Sequence, residues 1–185
     1  MSLTDPAYKL DFKFTQKGAK TLNSIRIYVN EINLPPDYKV AIQADNSGYP
    51  SGVDLVSGIF TPVVGWNNIS VASTALTDGN IYHLVISYDS GSIGTTRYMK
   101  VNIGYEPQHW LVPYDQYYDP EQQVLLDIGN GWQERGKTPT FVVGYTDASF
   151  YGNPYFNASS GSITNSCIPV IRAVPSTSGM TCLLY

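Results

Sequence analysis

Short segments in which apolar and polar residues alternate dominate this chain and most constrain its fold. Within residues 8–15 the apolar positions 8, 10, 12 and 14 alternate with polar ones, and residues 38–43 repeat the pattern. A two-residue period predicts strands that bury one face and expose the other to water. Further apolar, β-branched segments occur at residues 21–32, 56–60, 66–71, 81–88, 95–103 and 141–145.

Turn residues separate these segments, and no segment has the period of an amphipathic helix. Clusters of Gly, Pro, Asn and Asp follow the segments at intervals of ten to fifteen residues, as at residues 45–52 and 77–80. Parallel sheets would need helical crossovers, for which the chain has no sequence. We therefore predict an all-β fold, an antiparallel two-sheet β-sandwich of the jelly-roll type.

The length of 185 residues suits a single β-sandwich domain that covers residues 1–185. Two stretches break the strand rhythm: a long irregular loop at about 105–136 and an irregular segment at about 146–165. Both are rich in aromatic residues, which argues against disorder. Long ordered loops in compact domains often carry function. A last edge strand is expected at residues 168–174.

Composition and charge favour an extracellular or cell-surface location and exclude several partners. Only 14% of the residues are charged, whereas 15 are Tyr and 16 are Gly. The net charge of −4 and the lack of a Lys/Arg cluster exclude a nucleic-acid footprint. No run of about 18 apolar residues is present, so membrane insertion is not expected. The N-terminus lacks a signal-peptide pattern, as expected either for a cytosolic chain or for a mature domain cut from a longer precursor, and we favour the second.

Two cysteines lie near the C-terminus, at Cys167 and Cys182. In an extracellular protein such a pair predicts one disulfide that closes a short loop. The alternative is two buried free thiols. A Cα–Cα separation above about 7 Å would exclude the disulfide.

Three stretches of the sequence carry a resemblance to a known kind of module. They are residues 25–29 with 38–52, which include a D-N-S-G-x-P-S-G turn, residues 65–86, which include G-W-N-N-I-S-V, and residues 129–132. The chain resembles a jelly-roll module of archaeal and bacterial secreted or cell-surface proteins. In general shape it is similar to carbohydrate-binding sandwich modules. The resemblance implies the fold and an extracellular address, but it carries no functional residues over.

The sequence does not show a catalytic constellation, so we expect no enzyme. The G-x-S-x-G pattern of serine hydrolases is absent. His83 lies inside an apolar strand and is interpreted as structural, whereas His109, beside Trp110, is the better site candidate. A glycoside hydrolase needs two facing carboxylates, and it is the less favoured reading. Its candidates are the acids of the aromatic loop, Glu106, Asp115, Asp119 and Glu121.

The turn at residues 45–48 resembles the start of a calcium loop. It lacks the spaced acids and the distal Glu of an EF-hand, and an Asx turn explains it without metal. We expect no cofactor, with a structural calcium ion as the alternative. Asn68 and Asn157 stand in N-glycosylation sequons.

The concentration of aromatic rings in residues 105–132 is the sharpest functional signal. Trp and Tyr rings stack on the apolar faces of sugars, and neighbouring acceptors bind their hydroxyls. We expect binding to use this segment rather than the sheet faces, whereas the alternative is that its rings cap the core. The candidate ligand-binding residues are His109, Trp110, Tyr114, Asp115, Tyr117, Tyr118, Asp119 and Trp132.

These observations predict a non-catalytic extracellular binding or adhesion module of a larger surface protein. Its candidate ligand is a polysaccharide or glycan. The alternative is a purely structural jelly roll that serves as a spacer, an envelope component or a virion-surface component.

Overall fold

The computed structural model describes residues 1–101, 103–104, 123–135, 138–139, 141–147 and 150–152. All of them belong to one unit that runs from Met1 to Tyr155. In chain order the strands are β1 (Ser2–Leu3), β2 (Tyr8–Thr15), β3 (Lys20–Asn33), β4 (Asp37–Asn46), β5 (Tyr49–Phe60), β6 (Gly65–Leu76), β7 (Ile81–Ser90), β8 (Tyr98–Val101), β9 (Ile103–Gly104), β10 (Gln123–Ile128), β11 (Trp132–Arg135), β12 (Thr138–Pro139), β13 (Phe141–Tyr145) and β14 (Phe150–Gly152).

The strands form two six-stranded antiparallel sheets. The first sheet has the order β1-β8-β3-β13-β14, and β6 also pairs with the long strand β3. The second sheet has the order β11-β10-β2-β7-β4-β5, and β9 and β12 form a separate pair. Within the described residues no helix occurs, and none is therefore long and apolar enough to span a membrane. The predicted all-β class with two antiparallel sheets is confirmed.

One hydrophobic core lies between the two sheets. The inward-facing side chains of both sheets, such as Ile25 and Ile27 of β3 and Leu84 and Ile86 of β7, are fully buried in a single cluster. Phe141 of β13 joins the sheets, because its ring centroid lies 5.6 Å from that of Phe12 and 5.5 Å from that of Phe14. This shared core makes the two sheets a sandwich, while the jelly-roll strand order stays a prediction.

Strands that alternate in sequence lie where the alternation predicts them, but one hairpin was missed. β13 has the predicted bounds, and β2, β3 and β7 match within two residues. The segment expected to be an irregular loop, residues 105–136, contains the hairpin β10–β11 in its described part. β10 extends the second sheet by pairing with β2. The expected irregular segment at 146–165 likewise includes the short strand β14.

Candidate functional site

Most of the predicted ligand-binding residues lie outside the described part of the chain. Trp132 is the exception, since it begins β11. The others are His109, Trp110, Tyr114, Asp115, Tyr117, Tyr118 and Asp119, together with the acids Glu106 and Glu121. The candidate disulfide partners Cys167 and Cys182 also lie outside it. The aromatic platform and the disulfide therefore stay predictions.

The turn between β10 and β11 fixes the position of Trp132. Asp127 Oδ1 accepts hydrogen bonds from the Gly129 and Gly131 amides at 2.8 and 3.0 Å. Both glycines have left-handed backbones, with φ of 93° and 101°, which glycine adopts without steric cost. The register pairs Trp132 with Asp127, so their side chains lie on the same face of the sheet.

Polar and aromatic side chains form a row across the second sheet at this point. The pairing runs from Trp132 through Asp127, Lys9 and Ser87 to Lys39, on β11, β10, β2, β7 and β4. Residues paired in register share a face, and the next residue on each strand points the other way. All five therefore lie on the face that points away from the core, which we call the outer face.

A groove of about 400 Å³ lies on the outer face. One wall comes from the β4–β5 hairpin, through Pro50, Gly52, Val53 and Asp54, and Trp132 lies on the lining as well. The remaining lining residues are Lys9, Lys39, Gln43, Val85 and Ser87. The groove thus offers one large aromatic ring among charged, amide and hydroxyl groups.

A chain of hydrogen bonds holds the hairpin wall against the sheet. The Gly52 amide donates to Gln43 Oε1 at 2.9 Å, and Gln43 Nε2 donates to Asp54 Oδ1 at 2.8 Å. Lys39 Nζ donates to Asp54 Oδ2 at 2.9 Å. Lys39 and Asp54 therefore neutralise each other. Lys9 is exposed and makes no hydrogen bond or ion pair within the part of the chain that the structure describes.

The outer face of the second sheet is more deeply buried than the sequence predicts. The alternation of β2 and β4 places Asp11, Ala41 and Gln43 on a solvated face, but these side chains are 0%, 0% and 7% exposed. Val85 and Leu125, their neighbours on the same face, are buried as well. The prediction of one wet face is therefore wrong at the middle of this sheet. Its polar residues there must find partners within the protein.

A buried histidine bridges two carboxylates at the centre of this face. His83 of β7 is fully buried, and its Nδ1 lies 2.6 Å from Asp11 Oδ2 while its Nε2 lies 2.9 Å from Asp45 Oδ1. The interpretation of His83 as structural left these partners unidentified. The other oxygen of Asp11, Oδ1, is buried and has no hydrogen-bond partner among the residues that the structure describes. The three side chains come from β7, β2 and β4 and tie these adjacent strands together.

Burial and the mutual contacts shift the titration of all three groups. Burial raises the pKa of Asp11 to about 6, although His83 and Lys13 act to lower it. Burial alone would lower the pKa of His83, but the hydrogen bonds and charges of Asp11 and Asp45 outweigh it, so the pKa is raised. Burial likewise acts to raise the pKa of Asp45, but hydrogen bonds from His83 and the Gly48 amide outweigh it and lower the pKa.

This arrangement is not that of a hydrolase or a metal centre. Both ring nitrogens of His83 face carboxylates, so neither is available to activate a hydroxyl nucleophile. Asp11 is sealed from any substrate. Among the described residues no group of three or more His, Cys, Asp or Glu side chains could hold a metal ion.

The chain matches no protein-family model, no curated protein and no solved structure. Its function therefore has to be argued from the geometry of the groove and of the buried cluster beneath the β4–β5 hairpin.

Proposed function

We propose that this protein is a non-catalytic binding module that recognises a polysaccharide in the groove beside Trp132. The observation that carries the proposal is the half-buried Trp132 ring at one end of a row of polar side chains on the outer face. An indole ring stacks on the apolar C–H face of a sugar, and polar groups beside it orient the hydroxyls.

The charges in the groove favour an acidic polysaccharide. Lys39 is neutralised by Asp54 at 2.9 Å, whereas Lys9 is exposed and has no partner within the described residues. The lining residues therefore leave one positive charge in a protein whose net charge is −4. A carboxylate on a sugar ring would pair with Lys9, which makes no ion pair with its neighbour Asp127, whose Oδ1 accepts the Gly129 and Gly131 amides.

A matched pair of polymers tests both parts of the proposal. Calorimetric titration with polygalacturonate should give saturable binding without release of reducing ends, and the methyl-esterified polymer should bind more weakly. Trp132→Ala should weaken binding by about tenfold, the scale of one lost stacking contact. Lys9→Gln should remove the difference between the two polymers.

Trp66→Ala is the control, because Trp66 is half-buried on the first sheet and lines neither groove wall. Failure of both polymers to bind would overturn the proposal and favour the structural spacer instead. Unchanged binding by Trp132→Ala would overturn this location. Release of reducing ends would favour a glycoside hydrolase.

The setting of the module belongs to the same proposal. Low charge content and many Tyr, Ser, Thr and Asn residues support an extracellular or cell-surface address. The resemblance to jelly-roll modules of secreted proteins supports a place within a larger surface protein. The aromatic segment at 105–122 would extend the binding surface if its rings are exposed.

A further inference from the structure

The side chain of His83 anchors the turn that begins one wall of the groove. Its Nε2 contacts Asp45 Oδ1 at 2.9 Å, and the Asp45 carboxylate accepts the Gly48 amide at 3.1 and 3.2 Å. Ser47 and Gly48 both have left-handed backbones, with φ of 55° and 92°, as a two-residue hairpin turn requires. The turn of the β4–β5 hairpin is thereby fastened to the centre of the sheet through the Asp45 carboxylate, in addition to the hydrogen bonds that Gln43 makes with β5.

The geometry fixes how many protons the cluster must hold. A neutral imidazole has one N–H donor and one lone pair, and an ionised carboxylate only accepts hydrogen bonds. Both ring nitrogens of His83 face carboxylate oxygens of Asp11 and Asp45. Both contacts are hydrogen bonds to ionised carboxylates only if His83 is an imidazolium. With both carboxylates ionised and the ring neutral, a nitrogen lone pair faces a carboxylate oxygen at less than 3 Å.

We propose that the cluster of Asp11, His83 and Asp45 is a proton-operated latch. While His83 carries both protons it holds Asp45, and with it the β4–β5 hairpin. Loss of one proton releases Asp45 and loosens that wall of the groove. The link to ligand binding rests on the proposed function, but the latch itself does not.

Burial decides which of the two hydrogen bonds breaks. The side chain of Asp11 is 0% exposed, so water cannot replace His83 as its hydrogen-bond partner. The side chain of Asp45 is 25% exposed and can be hydrated. Once the imidazole is neutral, its remaining N–H stays on Asp11 and its lone pair repels Asp45. The hairpin is therefore the part that moves.

The remaining charges around His83 set the direction of the response. Asp11 and Lys13 face it from β2, and Asp45 faces it from β4. The two carboxylates raise the pKa of His83 above its usual value, while Lys13 acts on the carboxylates and is itself held to Gln123 Oε1 at 3.2 Å. The latch is therefore closed below the raised pKa of His83 and opens as the pH rises through it.

Amide exchange in the ligand-free full chain tests the latch directly. The exchange protection of the Gly48 amide, corrected for the intrinsic rate at each pH, should fall by about tenfold or more as His83 deprotonates. That is the scale of one lost charge-assisted hydrogen bond. The second turn held by an Asp side chain, at Asp127, is the internal control, because no histidine contacts it within the described residues. Protection of its Gly129 amide should not change.

Two carboxamide variants sharpen the test. In Asp45→Asn the new amide can donate to the neutral ring while its oxygen still accepts the Gly48 amide, so the turn should stay protected at high pH. Asp11→Asn should have the same effect, because its amide can donate to Nδ1. The two histidines are distinguished in the imidazole NMR spectrum by His109→Gln.

The outcomes separate the latch from the function it would regulate. Protection of Gly48 that does not depend on pH, or that depends on it equally in Asp45→Asn, would overturn the latch. The latch would also be overturned if the pH midpoint of the change in Gly48 protection differed from the pH midpoint of the His83 imidazole titration. Polygalacturonate affinity that falls with the same midpoint in the wild-type chain, but not in Asp45→Asn, would support regulation of the groove. If neither polymer binds at any pH, the proposed function fails while the exchange result still decides the latch.

Discussion

At the scale of single residues, the burial of Asp11 costs stability. It is a fully buried carboxylate whose Oδ1 has no hydrogen-bond partner among the described residues. Desolvation of such a charge is unfavourable even when it is paired, because the pair seldom recovers the full hydration energy. Its pKa of about 6 expresses this cost. A proton on Asp11 is bound more tightly in the folded chain than in the unfolded one.

Linkage gives the sign of the pH dependence that Asp11 contributes. The unfolded carboxyl, at its ordinary value of 3.8, loses its proton at lower pH than the folded one does at about 6. Between these values the folded state holds more protons, so the free energy of unfolding falls as the pH rises. Asp11→Asn should remove this contribution. Urea denaturation at pH 4 and pH 7 should show a smaller loss of stability in the variant than in the wild-type chain.

Asp5→Asn is a suitable control for that comparison. Within the described residues Asp5 Oδ1 accepts only the Ala7 amide, at 2.8 Å, in an exposed turn. The free energy of unfolding of Asp5→Asn should differ between pH 4 and pH 7 by as much as that of the wild-type chain. Equal pH dependence in Asp11→Asn and the wild-type chain would contradict the view that Asp11 is protonated more readily when folded.

The sequence could reveal these residues but not their partnership. Alternation correctly places Asp11 and His83 on the face opposite to the core, yet it treats every polar position there as solvated. Asp11 and His83 are 72 residues apart, and only the strand order β2-β7-β4 brings them and Asp45 together. Non-local strand order is not encoded in a local period, so the buried cluster could not be predicted from it.

At the scale of strands, the close approach of β5 and β6 depends on a glycine. Among the described strands, β5 is at the edge of the second sheet, and β6 pairs only with β3 in the first. A Cβ atom on Gly58 would lie 2.6 Å from Ile69 Cγ2 and 3.3 Å from the Ser70 carbonyl oxygen. No side chain fits at that position without moving one strand away from the other. Gly58 therefore lets the two sheets meet at this edge.

Gly58→Ala should accordingly destabilise the fold by about 1–3 kcal/mol through overpacking. Adding Ile69→Ala removes the clashing methyl. The double variant should therefore lose less stability than the sum of the losses in the two single variants. Gly94→Ala is the control, because an added Cβ there meets nothing within 4 Å. Chemical denaturation of the four variants measures the coupling. Additive losses would show that the contact between β5 and β6 does not constrain the edge.

The strands that the sequence analysis found and missed differ in burial. β2 alternates between core and outer positions, and its period was easy to read. β10 carries Val124, Leu125 and Leu126 in succession, all buried, because its outer face is also covered. A strand buried on both faces has no two-residue period, so the alternation of apolar and polar residues does not predict β10. The Gly-Asn-Gly turn that follows it at residues 129–131 was the available signal.

At the scale of the whole molecule, the two sheets differ in the use of their outer faces. The second sheet carries the groove, the buried cluster and the hairpin wall on one continuous surface. The sequences of β2 and β4 place no aromatic ring on this face, and Trp132 lies on it only because the strand order puts β11 and β10 beside β2. Trp132 reaches this face from a hairpin that joins the sheet at its edge.

The shared core makes unfolding of the two sheets a single event, and Phe141 is the residue that tests this. It is fully buried on β13 of the first sheet, and its ring stacks on Phe12 and packs at a tilt against Phe14, both on β2 of the second sheet. Phe141→Ala should cost about 3–5 kcal/mol, since the cavity would lie between two packed sheets and could not collapse. Variants that keep only Trp66 or only Trp132 report on the first and second sheet separately.

In the wild-type background these two single-tryptophan variants should each unfold in urea at the midpoint shown by circular dichroism, as expected for a two-state domain. Phe141→Ala should move each midpoint to lower urea by the same amount, because neither sheet can keep its inner face buried without the other. Phe141→Leu retains most of the apolar volume and should lose less than half as much stability. A shift of the Trp66 transition alone would mean that the second sheet is stable by itself. The aromatic contacts would then be incidental to the sandwich rather than its main connection.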